Sequence, residues 1–419
     1  MSMFGLKEAV VAELIRSVSG PEHDRDAIEE RFARATWTGI AEPGDRTAGQ
    51  LIEHLGAARA LDIVVRRQKA DEVIPALGDV FTEPDLQAGI DRWQPRVNST
   101  VALNYLRQAA RLGVKLRIPG EEFWPEGMSG LGDGAPIALW TRGTDEGYAA
   151  LSRSIALVGA RAATGYGEHV TMEASAGLVD RGYAIASGAA YGIDGMAHRA
   201  ALASQGHTIA FLAGGVDRFY PSGHDALLTR IVESGVVISE LPCGSAPTKW
   251  RFLQRNRLIA AASLATIVVE AGWRSGSINT AGHAAEMGRP LGAVPGPVTS
   301  AASAGCHRLI REYDAVCVTT AEEMAELAPL PIQSSNAIHG SGSISERGST
   351  AVELAEASRD SSGVTRVLDA LSVRAARDTA DIAARSGLSV ASVRGVLGPL
   401  ELEARVRETP RGWVKMAAP

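Results

Sequence analysis

Six short apolar runs punctuate the middle of the chain: IALVG (155–159), YAIAS (183–187), TIAFL (208–212), VVIS (236–239), ATIVVE (265–270) and LGAVP (291–295). Each is mostly apolar on both faces, as strands of a parallel sheet are when helices cover both sides. Helix-length segments at 168–181, 195–204, 224–233 and 277–287 lie between them. This alternation predicts an α/β fold built on a Rossmann-like, doubly wound, mostly parallel sheet.

The flanks follow other periods. Leu6, Val10, Leu14 and Ile15 recur at helical spacing, as do Leu51, Leu55, Ala58 and Leu61 within 47–70. Residues 98–112 predict a further helix, with Asn98 or Ser99 as its N-cap. A single strand, IALWTRG (137–143), follows. Beyond a Ser-, Gly- and Pro-rich stretch lie helical patterns at 364–372, 379–387 and 389–406, then a short β-wing in VRETPRGWVKM. The expected organisation is a helical N-terminal module (1–120), a Rossmann-like core (121–327), a linker (328–363) and a C-terminal winged helix (364–419). In that last unit Ser389 would cap the third helix; a recognition role would turn Arg394 towards DNA, while the alternative is a protein-binding or purely structural winged helix.

Composition narrows the class. The 419 residues are 45% hydrophobic and 21% charged, which suits two or three globular domains. With no run of about 18 apolar residues, no membrane span is expected. The N-terminus lacks a signal-peptide profile, so the expected location is cytoplasmic. Three cysteines without a C-x-x-C pair predict neither a disulfide framework nor a zinc site. The net charge of −6 argues against a uniformly basic coat but leaves room for a local basic patch.

Ligands of such sheets bind beyond the carboxyl ends of the strands. Four of the turns there are rich in glycine: 159–167, 187–195, 214–217 and 270–277. Glycine lets backbone N–H groups approach a ligand, and a helix N-terminus after the turn favours an anion. A phosphate or phosphodiester is the ligand this pattern predicts. The dinucleotide fingerprint is missing at the first turn, and no P-loop, H-E-x-x-H or G-x-S-x-G sequence occurs. His198, His207, His224, His283 and His307 are scattered without metal-ligand spacing, so no metal site is expected. Asp194 and Glu270, at strand ends, read as helix-capping carboxylates or, in the rival reading, as catalytic ones.

The stretch 239–263, SELPCGSAPTKWRFLQRNRLIAAAS, is the most informative. From 241 to 269 there is no acidic residue, while Lys249, Arg251, Arg255 and Arg257 interleave with Trp250 and Phe252. Cations neutralise phosphates, and an exposed aromatic ring gives a base a surface to stack on.

These phrases, with SGAAYGID (187–194), AHRAAL (197–202), GGVDRFYP (214–221), VVEAGWRSGSINTAGHAAEMGRPLGAVPG (268–296) and GCHRLI (305–310), resemble the DprA/Smf family of DNA-processing proteins. The resemblance is collinear over about 150–325. It implies an extended Rossmann fold and sequence-independent binding of single-stranded DNA. It also implies protection of incoming strands in natural transformation, loading of a RecA-type recombinase, a homodimer, and neither an enzymatic reaction nor a cofactor. Carried over, the phosphate pocket falls on Gly159, Arg161, Ser187 and Gly188, and the basic and stacking positions on Lys249, Phe252, Arg255 and Asn256. Arg257 and Arg274 join these as candidate DNA contacts. Several positions depart from the family pattern: VGAR stands for VGSR, FLQRNR lacks a proline, His224 and His307 stand for asparagine, and Tyr313 for glycine.

Two other classes compete. Nucleotide-processing phosphoribohydrolases use similar turns, but their P-G-G-x-G-T-x-x-E phrase is absent here. A pure interaction scaffold would use the winged helix to hold a protein partner.

Overall fold

The computed structural model describes residues 4–330 and 362–416. The expected linker, 328–363, lies mostly outside them.

Among the described residues the larger of two sheets has nine strands: β1 (Lys115–Arg117), β2 (Leu139–Gly143), β3 (Ser154–Gly159), β4 (Ala184–Ser187), β5 (Thr208–Phe211), β6 (Val236–Ser239), β7 (Ala265–Glu270), β8 (Leu291–Ala293) and β9 (Val316–Cys317). Their spatial order is β1-β2-β6-β5-β4-β3-β7-β8-β9. Strands β3 to β9 run parallel, and β2 joins β6 antiparallel, with β1 antiparallel outside it. The chain winds outward from β3 to β6, then returns to lay β7 on the other side of β3. That reversal opens a crevice between the carboxyl ends of β3 and β7.

Alternate residues of β3 explain the two covered faces. Ile155 and Leu157 enter a core with the helices Gly165–Asp180 and Ile193–Ala203. Ala156 and Val158 enter another with the helices Lys249–Ala262 and Gly276–Glu286. All four residues are buried, as two-sided burial of a parallel strand requires.

The N-terminal module is helical to Arg111. Asn98 caps its last helix by accepting from the Val101 N–H at 3.1 Å. Trp37 and Trp93 pack edge to face with centroids 5.0 Å apart. The module is not separate from the sheet: Trp140 of β2 donates its indole N–H to Thr38 Oγ1 at 3.0 Å. Three features depart from the sequence reading. The helix expected over 47–70 is two, Arg46–Leu55 and Ala57–Val65, because Gly56 takes φ +75° between them. The helix Arg25–Ile40 was unmarked, its buried face being blurred by Arg31, Thr36 and Thr38. The module expected to end at 120 already contributes β1 to the sheet.

In the C-terminal unit a helix at 362–370 precedes Thr379–Ser386 and Val390–Leu402, followed by a hairpin of β10 (Val406–Thr409) and β11 (Gly412–Lys415). Ser389 caps the third helix by accepting from the Ser392 N–H. Val367, Ile382, Val393 and Leu397 form its own small core. This is the expected winged helix.

Candidate nucleic-acid interface

A cleft of about 1000 Å³ opens at the crevice between β3 and β7. Its walls are the turn after β3, the turn after β7, and one side of the basic helix Lys249–Ala262. That helix begins at Thr248, whose side chain accepts from the Arg251 N–H at 3.3 Å. Lys249, Phe252, Leu253, Asn256 and Ile259 recur at i, i+3, i+4, i+7 and i+10 and line the cleft. Arg251 points elsewhere, to Glu42 of the N-terminal module, at 2.7 Å.

Each turn is held rigidly. Glu270 accepts from the Thr164 N–H at 2.9 Å and from its hydroxyl at 2.6 Å, tying the first turn to β7. The register between β3 and β7 shifts at Val158/Gly159, and the Ala160 N–H donates to Glu270 O at 2.7 Å. Gly159 has no room for a side chain: a Cβ there would stand 2.6 Å from Ile193. The second turn is fixed by Asp194, which accepts from the Gly188 and Ala190 N–H groups at 3.2 and 3.3 Å. Burial pushes its carboxyl up, against the pull of Arg255 and these donors.

The sequence candidates separate into two groups. Arg161, Lys249 and Arg274 are exposed on the cleft, and among the described residues none has a carboxylate within ion-pair distance. Phe252 lines the cleft with them, the Arg161 guanidinium 5.4 Å from its ring centre and the Tyr220 ring centre 5.4 Å away. Gly159 and Asn256 also line the cleft, and the Asn256 amide donates to Asn279 Oδ1 at 3.2 Å.

The second group is built into the floor or lies elsewhere. Arg255 is buried and donates to the carbonyls of Gly188 and Phe211 at 2.5 and 2.6 Å. Burial lowers its pKa to about 10, despite the nearby Asp194. A Cβ on Gly188 would strike this guanidinium at 2.5 Å. Ser187 is buried, its hydroxyl donating to Leu157 O at 2.6 Å. Arg257 does not line the cleft: it is buried and donates to both carboxylate oxygens of Glu240, at 2.7 and 2.5 Å. Ser187, Gly188 and Arg257 shape the turns and the helix seat, while Arg255 also borders the cleft, its guanidinium tied to the two carbonyls.

Tyr220 was missed. It lines the cleft half exposed, and its signal was the aromatic pair FY at the end of the third glycine turn. The histidines have structural partners: His198 bonds Thr208, His224 bonds Ala189 O, and His307 bonds Gly296 O. Among the described residues no three His, Cys, Asp or Glu side chains are grouped to hold a metal, and no helix is long and apolar enough to cross a membrane. Cys243 and Cys306 are buried and Cys317 exposed, all free thiols.

The chain is similar to known proteins over most of its length. The family model described as DNA recombination-mediator protein A matches residues 115–329. The DprA winged helix domain matches residues 353–412. A putative DNA processing protein DprA of Mycobacterium tuberculosis (strain ATCC 25618 / H37Rv) is 41% identical over 373 residues, covering 87% of this chain and 88% of the relative. Protein Smf of Escherichia coli (strain K12) is 41% identical over 211 residues, covering 50% of this chain and 55% of that protein. The crystal structure of DNA processing protein A from Streptococcus pneumoniae superposes with a TM-score of 0.57 at 27% identity, covering 72% of this chain and 98% of that one.

Proposed function

This chain belongs to the DprA/Smf family of DNA-processing proteins, and from that premise we propose that its cleft holds a single strand of DNA without regard to sequence. The observation that carries the reading is the trio Arg161, Lys249 and Arg274, unpaired around the rings of Phe252 and Tyr220. The cations neutralise successive phosphates, and the rings offer a face on which any base stacks. A duplex keeps its bases stacked inside and cannot use those rings, so single strands are preferred.

The wider role follows from family membership. The protein protects incoming strands in the cytoplasm, acts as a homodimer and hands its strand to a RecA-type recombinase. The enzyme reading has little support at the site. Glu270 is buried and committed to Thr164, and Asp194 to two backbone N–H groups, so neither carboxylate is free to move a proton.

The test is the affinity for labelled oligo-dT against a duplex of equal length, measured over a range of salt. Expected are tighter binding of the single strand and affinity that falls log-linearly with salt. Equal affinity for the two, or release of free base from nucleoside monophosphates, would count against the reading.

A further inference from the structure

The mouth of the cleft already holds an anion from the same chain. The Lys249 backbone N–H donates to Oδ2 of Asp369 at 2.9 Å. Asp369 comes from the first helix of the winged domain, yet it lines the cleft beside Lys249, Phe252 and Arg274. Lys249 is the first residue of the basic helix, so its N–H has no intrahelical partner and sits at the positive end of the helix dipole. An anion is favoured there, and a carboxylate occupies the place that a strand phosphate would take.

The winged domain is seated by matched groups on both sides. Arg96 of the N-terminal module donates to Ala384 O at 2.6 Å and to Arg385 O at 3.3 Å, at the carboxyl end of the helix Thr379–Ser386. Gly387, at φ +66°, follows that helix, and a Cβ on it would stand 2.5 Å from Glu42 and 2.8 Å from Arg96. Arg366 lies 5.6 Å from the ring centre of Trp250 on the basic helix.

The seat is specific but unbalanced in charge. Arg96, Arg251 and Arg366 all act on the single carboxylate of Glu42. Burial lowers the pKa of Arg366 to about 10, although Glu42 pulls it upward. Excess positive charge held away from water is relieved when the domain lifts off.

We propose that the docked winged helix is an autoinhibitory contact, in which Asp369 stands in for a phosphate at the mouth of the strand site and DNA binds by displacing it. This rests on the reading of the cleft as a single-strand site. A strand then competes with an internal ligand, and its apparent affinity is reduced by the fraction of molecules that are open.

The experiment uses the full chain and fluorescence anisotropy of labelled oligo-dT at fixed salt. Asp369→Asn removes the charge and Arg96→Ala loosens the seat from its other side. Each is expected to bind the strand about three- to tenfold tighter than the parent, as the open fraction rises. Hydrogen exchange in peptides covering 379–387 should also rise when oligo-dT is added to the parent. If the parent binds and neither variant gains affinity, the autoinhibitory contact is overturned while the strand site stands. If neither parent nor variants bind, the strand-site reading fails and the contact falls with it.

Discussion

Arg161, at the end of β3, and Phe252, in the first turn of the basic helix, are far apart in sequence, yet the guanidinium stands 5.4 Å from the ring centre. On the proposed reading, the pair meets the two things a single strand offers, a phosphate and a base face. The arginine is held by a turn locked to Glu270, and the ring by a helix packed on the sheet. The backbone that carries each of them is fixed before a strand arrives.

Replacing both Arg161 and Lys249 with alanine should weaken binding to every single-strand sequence about equally. The slope of log affinity against log salt should become shallower by about 0.7 for each phosphate that is no longer neutralised. Anisotropy titrations at four salt concentrations check both outcomes; an unchanged slope would remove these residues from the phosphate track.

Phe252→Ala should act differently. Stacking contributes about 1–3 kcal/mol per base and carries no counterion release. Affinity should fall while the salt slope stays where it was. Phe252→Trp should retain most of the binding. Tyr220→Ala should give a smaller loss of the same kind, and the double variant should be less than additive because the two rings are in contact.

Arg257 sorts to stability. Its side chain is 6% exposed and that of Glu240 9%, so Arg257→Leu leaves a buried carboxylate without its partner. Unfolding by urea should show a loss of roughly 3–5 kcal/mol. The folded fraction should bind oligo-dT as the parent does, whereas a large loss of affinity with intact stability would show that Arg257 reaches the strand.

His198 sets a pH dependence. The Thr208 hydroxyl donates to Ile185 O and accepts from His198 Nδ1, which therefore carries the proton of a neutral ring. Burial, reinforced by His224 and the nearby arginines, lowers its pKa from 6.5 to about 3. The unfolded chain binds a proton below about pH 6.5 and the folded chain does not, so stability falls as the pH drops from there towards 3. The slope from this one group approaches about 1.4 kcal/mol per pH unit. Denaturant midpoints at pH 7, 6 and 5 should decline in the parent and decline less in His198→Gln.

The strands of the core were legible because burial on both faces leaves a run with no polar alternation, as in 236–239 and 265–270. The edge strands β1 and β9 were not. Val316 and Cys317 are both exposed, so no apolar run marks the second of them. For the site, the family resemblance singled out Phe252 rather than Arg251, and composition found the basic patch. What composition could not do was divide four cations between a ligand and the protein itself. Arg255 and Arg257 are claimed by two backbone carbonyls and by Glu240, partners that only the fold brings near. Asp369 lay beyond the Ser- and Gly-rich stretch, where no pattern ties it to Lys249.

The strand order has a consequence for the birth of the protein. Arg161 and Arg274 flank one crevice, but β4, β5, β6 and the basic helix must all be made between them. A ribosome that has released only the first half of the core has produced the first phosphate turn without its opposite wall. Pairing β3 with β7 closes a long loop and comes late in folding. On the proposed reading of the cleft, a nascent chain completes its strand site only when synthesis has passed β7, and Asp369 follows later still.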